Sequence, residues 1–215
     1  MAREADGARV TVAALLLAAG ASSRMGEPKP LVAWGGRTLI EWELDQLRAS
    51  CVDEIVVVIG SRAEAVRRTL DASWEPALVF NQRWPQGRAT SLAKGAAALL
   101  APGRTRPDAV VIQNVDQPAL THVIDRLVGT LRERGVESVQ PTYLDVAGRE
   151  HGGHPVVISG ALLEELAGAT EATEGLRAIL QRHPPQRIPM PGEPSVALDL
   201  DTQEALAAGR RVLGV

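Results

Sequence analysis

The sequence predicts an α/β protein with a mostly parallel sheet. Three runs of almost unbroken apolar residues, at 10–18, 54–60 and 108–115, predict strands that are buried on both faces. Helical patterns lie between these runs, at 38–50 and 91–100. Because strands that alternate with helices are typical of a parallel sheet covered by helices, these observations indicate the α/β class.

The rest of the chain continues this alternation. Thr121 is the predicted N-cap of the helix that follows the third strand. With no repeat of fixed period and no low-complexity linker, the sequence predicts one domain over 1–215, with 1–9 as a disordered leader. The other predicted elements are helices over 121–134, 160–167, 173–182 and 202–209, and strands over 137–143, 155–159, 187–190 and 195–200.

Composition and charge exclude several classes of protein. The chain is 45% hydrophobic but only 3% aromatic, which predicts an aliphatic core. A net charge of −3 without a basic run argues against a nucleic-acid partner. The lone Cys51 cannot form an intramolecular disulfide, and the apolar run 12–19 is too short for a membrane span and lacks a basic leader. We therefore expect a cytoplasmic protein without a membrane anchor.

The first candidate site follows the first predicted strand, in LLLAAGASSRMGEPKPLV. Gly20 and its small neighbours expose backbone N–H groups, and Arg24 and Lys29 add positive charge, so the loop suits a polyphosphate. It lacks both the Gly-Lys-Ser/Thr ending of a P-loop and the G-x-G-x-x-G spacing of a dinucleotide site. A solvated turn with two surface cations remains the alternative.

Two acidic segments could hold a metal ion. In NVDQP, Asp116 ends an apolar strand, where a carboxylate can bind Mg²⁺ or simply form a turn. In ALDLDT, the alternation of a strand would place Asp199 and Asp201 on one face, where they could complete a site with Asp116. Asp201 or Thr202 could equally cap the last helix.

Two further loops contain polar residues at positions suited to a ligand. In NQRWPQGRATSLAKG, a helix that starts after Gly87 would offer free N–H donors to a base or phosphate, while Trp84 packs the loop onto the sheet. In HGGHP, His151 and His154 lack a third zinc ligand at useful spacing. The second pattern therefore favours an exposed or substrate-contacting loop.

Taken together, these segments resemble a known family. LLLAAGASSRMGEPKPLV resembles the signature loop of the MobA-like nucleotidyltransferases, which attach a nucleoside monophosphate to a phosphorylated acceptor. NQRWPQGRATSL, NVDQP, GGHPVVIS and LDLDT follow in the order found in the molybdenum cofactor cytidylyltransferases. The resemblance covers nearly the whole chain and implies a Rossmann-like three-layer sandwich of the nucleotide-diphospho-sugar transferase type.

The resemblance also implies roles for individual residues. The implied reaction transfers CMP from CTP to the phosphate of molybdopterin, with Mg²⁺ as the cofactor and a molybdoenzyme or its chaperone as a transient partner. Arg24, Lys29 and Asp116 would be catalytic, Asp116 and Asp201 would bind the metal, and Gly153, His154 and Pro155 would contact the acceptor. The implied nucleotide-binding residues are Ala18, Ala19, Gly20, Ala21, Ser22, Arg24, Lys29, Asn81, Gly87 and Ser91.

The resemblance leaves alternatives to CTP and to molybdopterin. Ala19-Gly20 is similar to the cytidylyl branch, whereas the guanylyl branch tends to have Gly-Gly there. Arg88 stands where that branch usually has a small or apolar residue, which bears on the identity of the acceptor. The alternatives are a molybdopterin guanylyltransferase, a nucleotidyltransferase that acts on a sugar phosphate or another phosphorylated alcohol, and a molybdopterin-binding accessory protein without catalysis.

Overall fold

Seven consecutive buried residues form β1 (Val12–Ala18), an interior strand of the sheet. The structure is a computed structural model that describes residues 10–22, 25–70 and 77–215. β1 pairs in parallel with β4 (Glu54–Ile59) on one side and β6 (Ala109–Asn114) on the other. These are the three strands that the apolar runs predict, and all three are confirmed.

The main sheet has eight strands within the described residues, in the order β10-β7-β9-β6-β1-β4-β5 with β8 paired to β7. Only β8 and β9 run antiparallel to their neighbours, so the sheet is mostly parallel, as predicted. The other strands are β2 (Ala33–Trp34) and β3 (Arg37–Thr38), which form a separate hairpin, β5 (Ala77–Phe80), β7 (Ser138–Leu144), β8 (Glu150–Gly152), β9 (Val156–Ser159) and β10 (Gln186–Pro189).

Helices cover both faces of the sheet and make a three-layer fold. Alternate side chains of β1 enter two separate cores: Ala14 and Leu16 pack with α1 and α4, whereas Leu15 and Leu17 pack with α3 and α5. The helices are α1 (Leu39–Ala49), α2 (Ala63–Thr69), α3 (Arg88–Leu99), α4 (Thr121–Arg134), α5 (Leu163–Ala167), α6 (Leu176–Arg182) and α7 (Gln203–Leu213). None of the helices in the described ranges combines the length and the apolar character of a membrane span.

Two local predictions are wrong. Helix α4 has the predicted bounds, but its N-cap is Leu120, and the Thr121 hydroxyl instead donates to the Gln46 carbonyl at 3.1 Å, which ties α4 to α1. Residues 195–200 do not form a strand, because Pro194–Ala197 is a 3₁₀ turn capped by Glu193. Thr202 caps α7 by accepting from the Ala205 N–H at 3.1 Å, which leaves Asp201 available for other contacts.

The end of α6 is held to the sheet and to α5 by one imidazole. His183 contacts Glu137 through Nδ1 at 2.8 Å and Glu165 through Nε2 at 2.9 Å. Hydrogen bonds to these two carboxylates raise the pKa of His183 above its usual value. The charged imidazolium therefore stabilises the folded state, fully below the unfolded pKa and less as the pH rises through the folded pKa.

We predict that His183→Gln destabilises the protein more at low than at high pH, because glutamine cannot carry the charge. Urea unfolding of wild type and variant at about pH 5.5 and about pH 8.5 measures this. The difference in free energy of unfolding should be larger at the lower pH. A difference that is equal at both pH values would contradict an ionic contribution.

Candidate active site

A cavity of about 490 Å³ lies at the carboxyl edge of the sheet, where the chain leaves β1, β5 and β6. In open α/β sheets this edge is where ligands bind. The structure brings most of the predicted site residues together here, since the lining includes Ala18, Ala19, Gly20, Ala21, Ser22, Lys29, Gly87, Ser91, Asp116 and Asp201. Arg24, predicted to be catalytic and nucleotide-binding, lies outside the described residues.

The loop after β1 presents backbone to the cavity and positions Lys29. A side chain at Gly20 would meet no heavy atom within 4 Å, so the backbone there is open to a ligand. Ser22 adopts a left-handed conformation with φ of 53°, and its hydroxyl accepts a hydrogen bond from the Lys29 N–H at 2.9 Å. The Ser22 side chain is thus used to fold the loop, while exposed main chain remains for an anion.

The centre of the site is an ammonium group between two carboxylates. Lys29 is only 9% exposed, and its Nζ donates to Asp116 Oδ2 at 2.6 Å and also to Asp201. Burial lowers the pKa of Lys29, but the charges and hydrogen bonds of both acids outweigh it, and the pKa lies above its usual value. Lys29 is therefore a fixed cation at neutral pH.

A backbone hydrogen bond brings the two acids together. The Leu200 N–H donates to the Asp116 carbonyl at 2.8 Å, which joins the segment before α7 to the loop after β6. That loop is itself held to β1, because the Val115 N–H donates to the Leu17 carbonyl at 3.1 Å. Asp116 and Asp201 thus reach one point although they are far apart in sequence.

A third acid completes a cluster that could hold a metal ion. Oxygens of Asp116, Asp199 and Asp201 all lie within 4.8 Å of one another. Burial, followed by repulsion from Asp116 and Asp201, raises the pKa of Asp199, so Lys29 does not fully neutralise the cluster. Carboxylate oxygens with excess negative charge are the ligands that Mg²⁺ prefers, and the residues present therefore fit such an ion.

Asn81 is implied by the resemblance to bind the nucleotide, but the structure gives its side chain other contacts. It is 3% exposed and not among the cavity-lining residues, and its Nδ2 donates to the hydroxyls of Thr90 at 2.9 Å and Ser91 at 3.0 Å. The Asn81 side chain therefore fastens the first turn of α3 to the end of β5. Ser91, by contrast, both accepts this bond and lines the cavity.

The start of α3 is less open than predicted. The Glu171 carboxylate accepts from the Ala89 N–H and thereby occupies one of the helix-terminal donors. Gly87 has a φ of 117°, and a side chain there would lie 2.3 Å from Glu171. Only glycine allows this approach of Glu171 to the helix end.

The predicted acceptor residues are not among those that line the cavity. A side chain at Gly153 would lie 2.4 Å from the Val196 carbonyl, and the His154 N–H donates to that carbonyl at 3.1 Å. Burial and the nearby charge of Arg88 lower the pKa of His154 to about 4, while Asp116 opposes the shift. His154 is thus neutral at pH 7. Pro155 follows it, buried at the start of β9.

The sequence points to Arg88 only as a departure that bears on the acceptor and to Trp84 only as a packing residue, yet both line the cavity. The available signal for Arg88 was a cation at the first residue of a helix, where the helix dipole disfavours positive charge. Trp84 packs against Gly60, where a side chain would lie 2.7 Å from Cβ and from the indole Cγ of Trp84. The expectation that Trp84 packs its loop onto the sheet is met by this contact, which also places the ring at the cavity wall.

Comparison with known proteins gives one matching family. The family model described as "MobA-like NTP transferase domain" matches residues 14–188. Nicotine blue oxidoreductase of Paenarthrobacter nicotinovorans is 33% identical over 80% of this chain and 83% of its own length. Molybdenum cofactor cytidylyltransferase of Escherichia coli K12 is 24% identical over 77% of this chain and 79% of its own.

Among solved structures, Rv0371c of Mycobacterium tuberculosis H37Rv superposes with a TM-score of 0.74 at 26% identity, covering 96% of this chain and 98% of its own. A structure of the same protein in complex with manganese gives a TM-score of 0.68 at 24% identity, covering 95% and 99%. Likenesses of this kind confirm the predicted fold class, the Rossmann-like sandwich of the nucleotide-diphospho-sugar transferases.

We predict that Lys29→Ala lowers the free energy of unfolding by about 1 kcal/mol in EDTA, because it leaves the partly exposed acids Asp116 and Asp201 without their cation while solvent screens part of their repulsion. Excess Mg²⁺ should restore more stability to the variant than to wild type, by mass action. Urea unfolding with and without Mg²⁺ measures both effects. Lys94→Ala, an exposed lysine on α3, is the control. Unchanged stability of Lys29→Ala in EDTA would contradict the ionic role of Lys29.

Proposed function

The chain belongs to the MobA-like NTP transferase family, and on that basis we propose that it transfers CMP from CTP to the phosphate of a molybdopterin-type acceptor, releasing pyrophosphate. One observation supports the proposal above all: Lys29, held between Asp116 and Asp201, lies in a cavity whose wall is the main chain of the loop after β1. Such a site offers both fixed positive charge and metal ligands to a triphosphate.

The choice of base and acceptor has narrower support. The Escherichia coli relative is a molybdenum cofactor cytidylyltransferase, and Ala19-Gly20 is similar to that branch. Both positions line the cavity, where the backbone can approach a ligand. CTP and a molybdopterin-type phosphate are therefore the substrates that we propose.

In the proposed reaction, an oxygen of the acceptor phosphate attacks the α-phosphorus of CTP, and the bond from that phosphorus to the bridging oxygen of the β-phosphate breaks. Pyrophosphate leaves with the bonding electron pair. The step needs positioning and charge neutralisation rather than a protein nucleophile. Backbone N–H groups of the loop formed by Ala19–Ser22 would hold phosphate oxygens.

Lys29 has an N–H donor available for a phosphate oxygen in this step. Its ammonium has three N–H donors, and the bonds to Asp116 and Asp201 use two of them. The third can donate to a phosphate oxygen in the cavity and stabilise charge that develops there. Because the acids fix the ammonium before substrate binds, this donor needs little reorganisation in the transition state.

A divalent cation bound by Asp116 together with Asp199 or Asp201 would supply Lewis-acid polarisation of phosphate oxygens. The three carboxylates carry more negative charge than Lys29 neutralises, which favours such an ion. The manganese complex of Rv0371c supports a divalent ion in this fold, and we propose Mg²⁺ as the ion used here.

Nicotine blue oxidoreductase supports a second candidate function, an oxidation–reduction reaction. Its identity of 33% exceeds the 24% of the cytidylyltransferase, over a similar share of the chain. An oxidation–reduction reaction, however, gives no role to a lysine that bridges two acids of a three-acid cluster. We therefore favour nucleotidyl transfer and include reduction in the assay below.

We predict that wild type with Mg²⁺ and molybdenum cofactor releases pyrophosphate from CTP, and much less from GTP, ATP or UTP. A coupled pyrophosphate assay measures each rate, and parallel cuvettes with NADH or NADPH and a quinoid dye measure reduction. Release with GTP alone would support nucleotidyl transfer but replace cytosine by guanine as the base. Nicotinamide oxidation without pyrophosphate release would replace the proposed function by the second candidate.

We predict that Lys29→Ala, which removes a donor to developing charge, and Asp116→Asn, which removes a charged metal ligand, each lower the rate of pyrophosphate release by about 100-fold or more. Lys94→Ala is the matched lysine control and should keep the wild-type rate. Circular dichroism and urea unfolding check that each variant is folded. A folded Lys29→Ala variant with a near-wild-type rate would remove Lys29 from the mechanism.

A further inference from the structure

Glu43 is a carboxyl group buried in the core without a counter-charge. Its side chain is 0% exposed, and neither of its two oxygens has a hydrogen-bond partner among the described residues. It lies on α1 one turn from Leu39 and one turn from Leu47, and both leucines pack in the core that α1 forms with the sheet. An ionised carboxylate without a cation or hydrogen bonds is strongly disfavoured in such a core.

Gln113, on the sheet face that α1 covers, has a matching deficit. The alternation of β6 places it on the same face as Ala109 and Val111, which belong to the same core as the leucines of α1. Its Nε2 donates to the carbonyl of Asn114 at 3.2 Å and to the carbonyl of Gln117. Because carbonyls only accept, these bonds fix the orientation of the amide. Its Oε1, buried and without a partner in the described ranges, therefore needs a donor from the other side.

A proton on Glu43 supplies the missing donor. A carboxylic acid has one O–H donor and one carbonyl acceptor, so it can donate to the Gln113 Oε1 and accept from a backbone N–H. The Gln113 side chain and the Ala119 backbone both act on the Glu43 carboxyl, which agrees with its place between α1 and the end of β6. Burial, and then the like charge of Asp116, raise the pKa of Glu43 well above its usual value.

Gln117 joins this buried pair to the acid cluster of the site. Its carbonyl accepts from Gln113, its Oε1 accepts from Asn114 Nδ2, and its Nε2 donates to Asp199 Oδ2 at 3.3 Å. Gln117 is only 8% exposed and directly follows Asp116 in the sequence. The orientation of the Gln113 amide therefore sets the backbone of the loop after β6 and, through Gln117, the position of Asp199.

We propose that Glu43 is held as a neutral carboxylic acid that donates to Gln113 and thereby positions the loop after β6 with its metal-binding carboxylates. The role in metal binding rests on the proposed function, whereas the protonation of Glu43 does not. Glu43 and Gln113 are positioning residues that act through Gln117, and neither of them lines the cavity.

Urea unfolding of wild type, Glu43→Gln and Glu133→Gln from about pH 5.5 to about pH 7.5 tests the protonation. Glutamine has the size of the neutral acid and keeps a donor, and Glu133, an exposed glutamate of α4, is the control. Unfolded glutamate is ionised above about pH 4.3, so a neutral Glu43 takes up one proton on folding, and its contribution to stability falls as the pH rises.

The unfolding equilibrium constant of wild type, divided by that of Glu43→Gln, should therefore rise about tenfold or more over this interval. The same ratio for Glu133→Gln should stay constant. In infrared spectra of folded wild type at the upper pH, the carbonyl band of a protonated carboxyl should be present, and Glu43→Gln should lose it. A ratio for Glu43→Gln that does not change with pH, or a wild type without this band, would overturn the proposal.

Titration with MnCl₂ in the absence of nucleotide tests the positioning role. Glu43→Leu should bind Mn²⁺ about tenfold or more weakly than wild type, as loss of a group that orients metal ligands typically causes. Glu43→Gln, which can still donate to Gln113, should stay within about twofold of wild type, as should Glu133→Gln. Circular dichroism checks that each variant is folded. Equal Mn²⁺ affinity of wild type and Glu43→Leu, or no binding by wild type, would overturn the positioning role.

These measurements are independent of the proposed reaction, because neither of them uses CTP or an acceptor. If wild type releases no pyrophosphate, the proposed function fails while the unfolding and Mn²⁺ titrations still decide the role of Glu43. If wild type releases pyrophosphate but Glu43→Gln shows no pH-dependent change in relative stability, the role of Glu43 fails alone.

Discussion

The contact of Lys29 with Asp116 and Asp201 is the interaction on which the rest of the site depends. In the sequence, Lys29 lies 87 positions from Asp116 and 172 positions from Asp201. The contact therefore holds the loop after β1, the loop after β6 and the segment before α7 at one point. A buried ion pair that loses one partner leaves an uncompensated charge, which costs far more than the intact pair contributes. The three segments are therefore fixed together, and the site is complete only when the C-terminal segment has docked.

The same contact explains how one cation can serve both folding and ligand binding. Lys29 neutralises part of the charge of three acids, and the remaining charge raises the pKa of Asp199. A triphosphate would add negative charge to this cluster, so it can bind only if further positive charge is present or if its phosphates stay away from the acids. A divalent ion supplies the further positive charge. The backbone donors of the loop after β1 can hold phosphates away from the acids.

The sequence predicts the frame of the fold because β1, β4 and β6 are buried on both faces and are therefore continuously apolar. It predicts the cavity because the carboxyl ends of such strands share one edge. It does not predict the turn at Pro194–Ala197, since alternating Leu and Asp residues imitate a strand while Glu193 caps a 3₁₀ turn. Nor does it predict that Asn81 and Glu171 make hydrogen bonds to the first turn of α3. The bond from Ala89 to Glu171 spans 82 positions, so no local pattern indicates it.

The occupied end of α3 determines how the two substrates can share the cavity. Helix N-termini commonly bind phosphate, but here Glu171 takes the Ala89 donor and would repel a phosphate placed on the helix axis. The triphosphate is thereby directed to Lys29 and the open backbone at Gly20. Arg88 is the first residue of the same helix and also lines the cavity. The cavity therefore offers a triphosphate its cation and its backbone donors on the loop after β1 rather than at the start of α3.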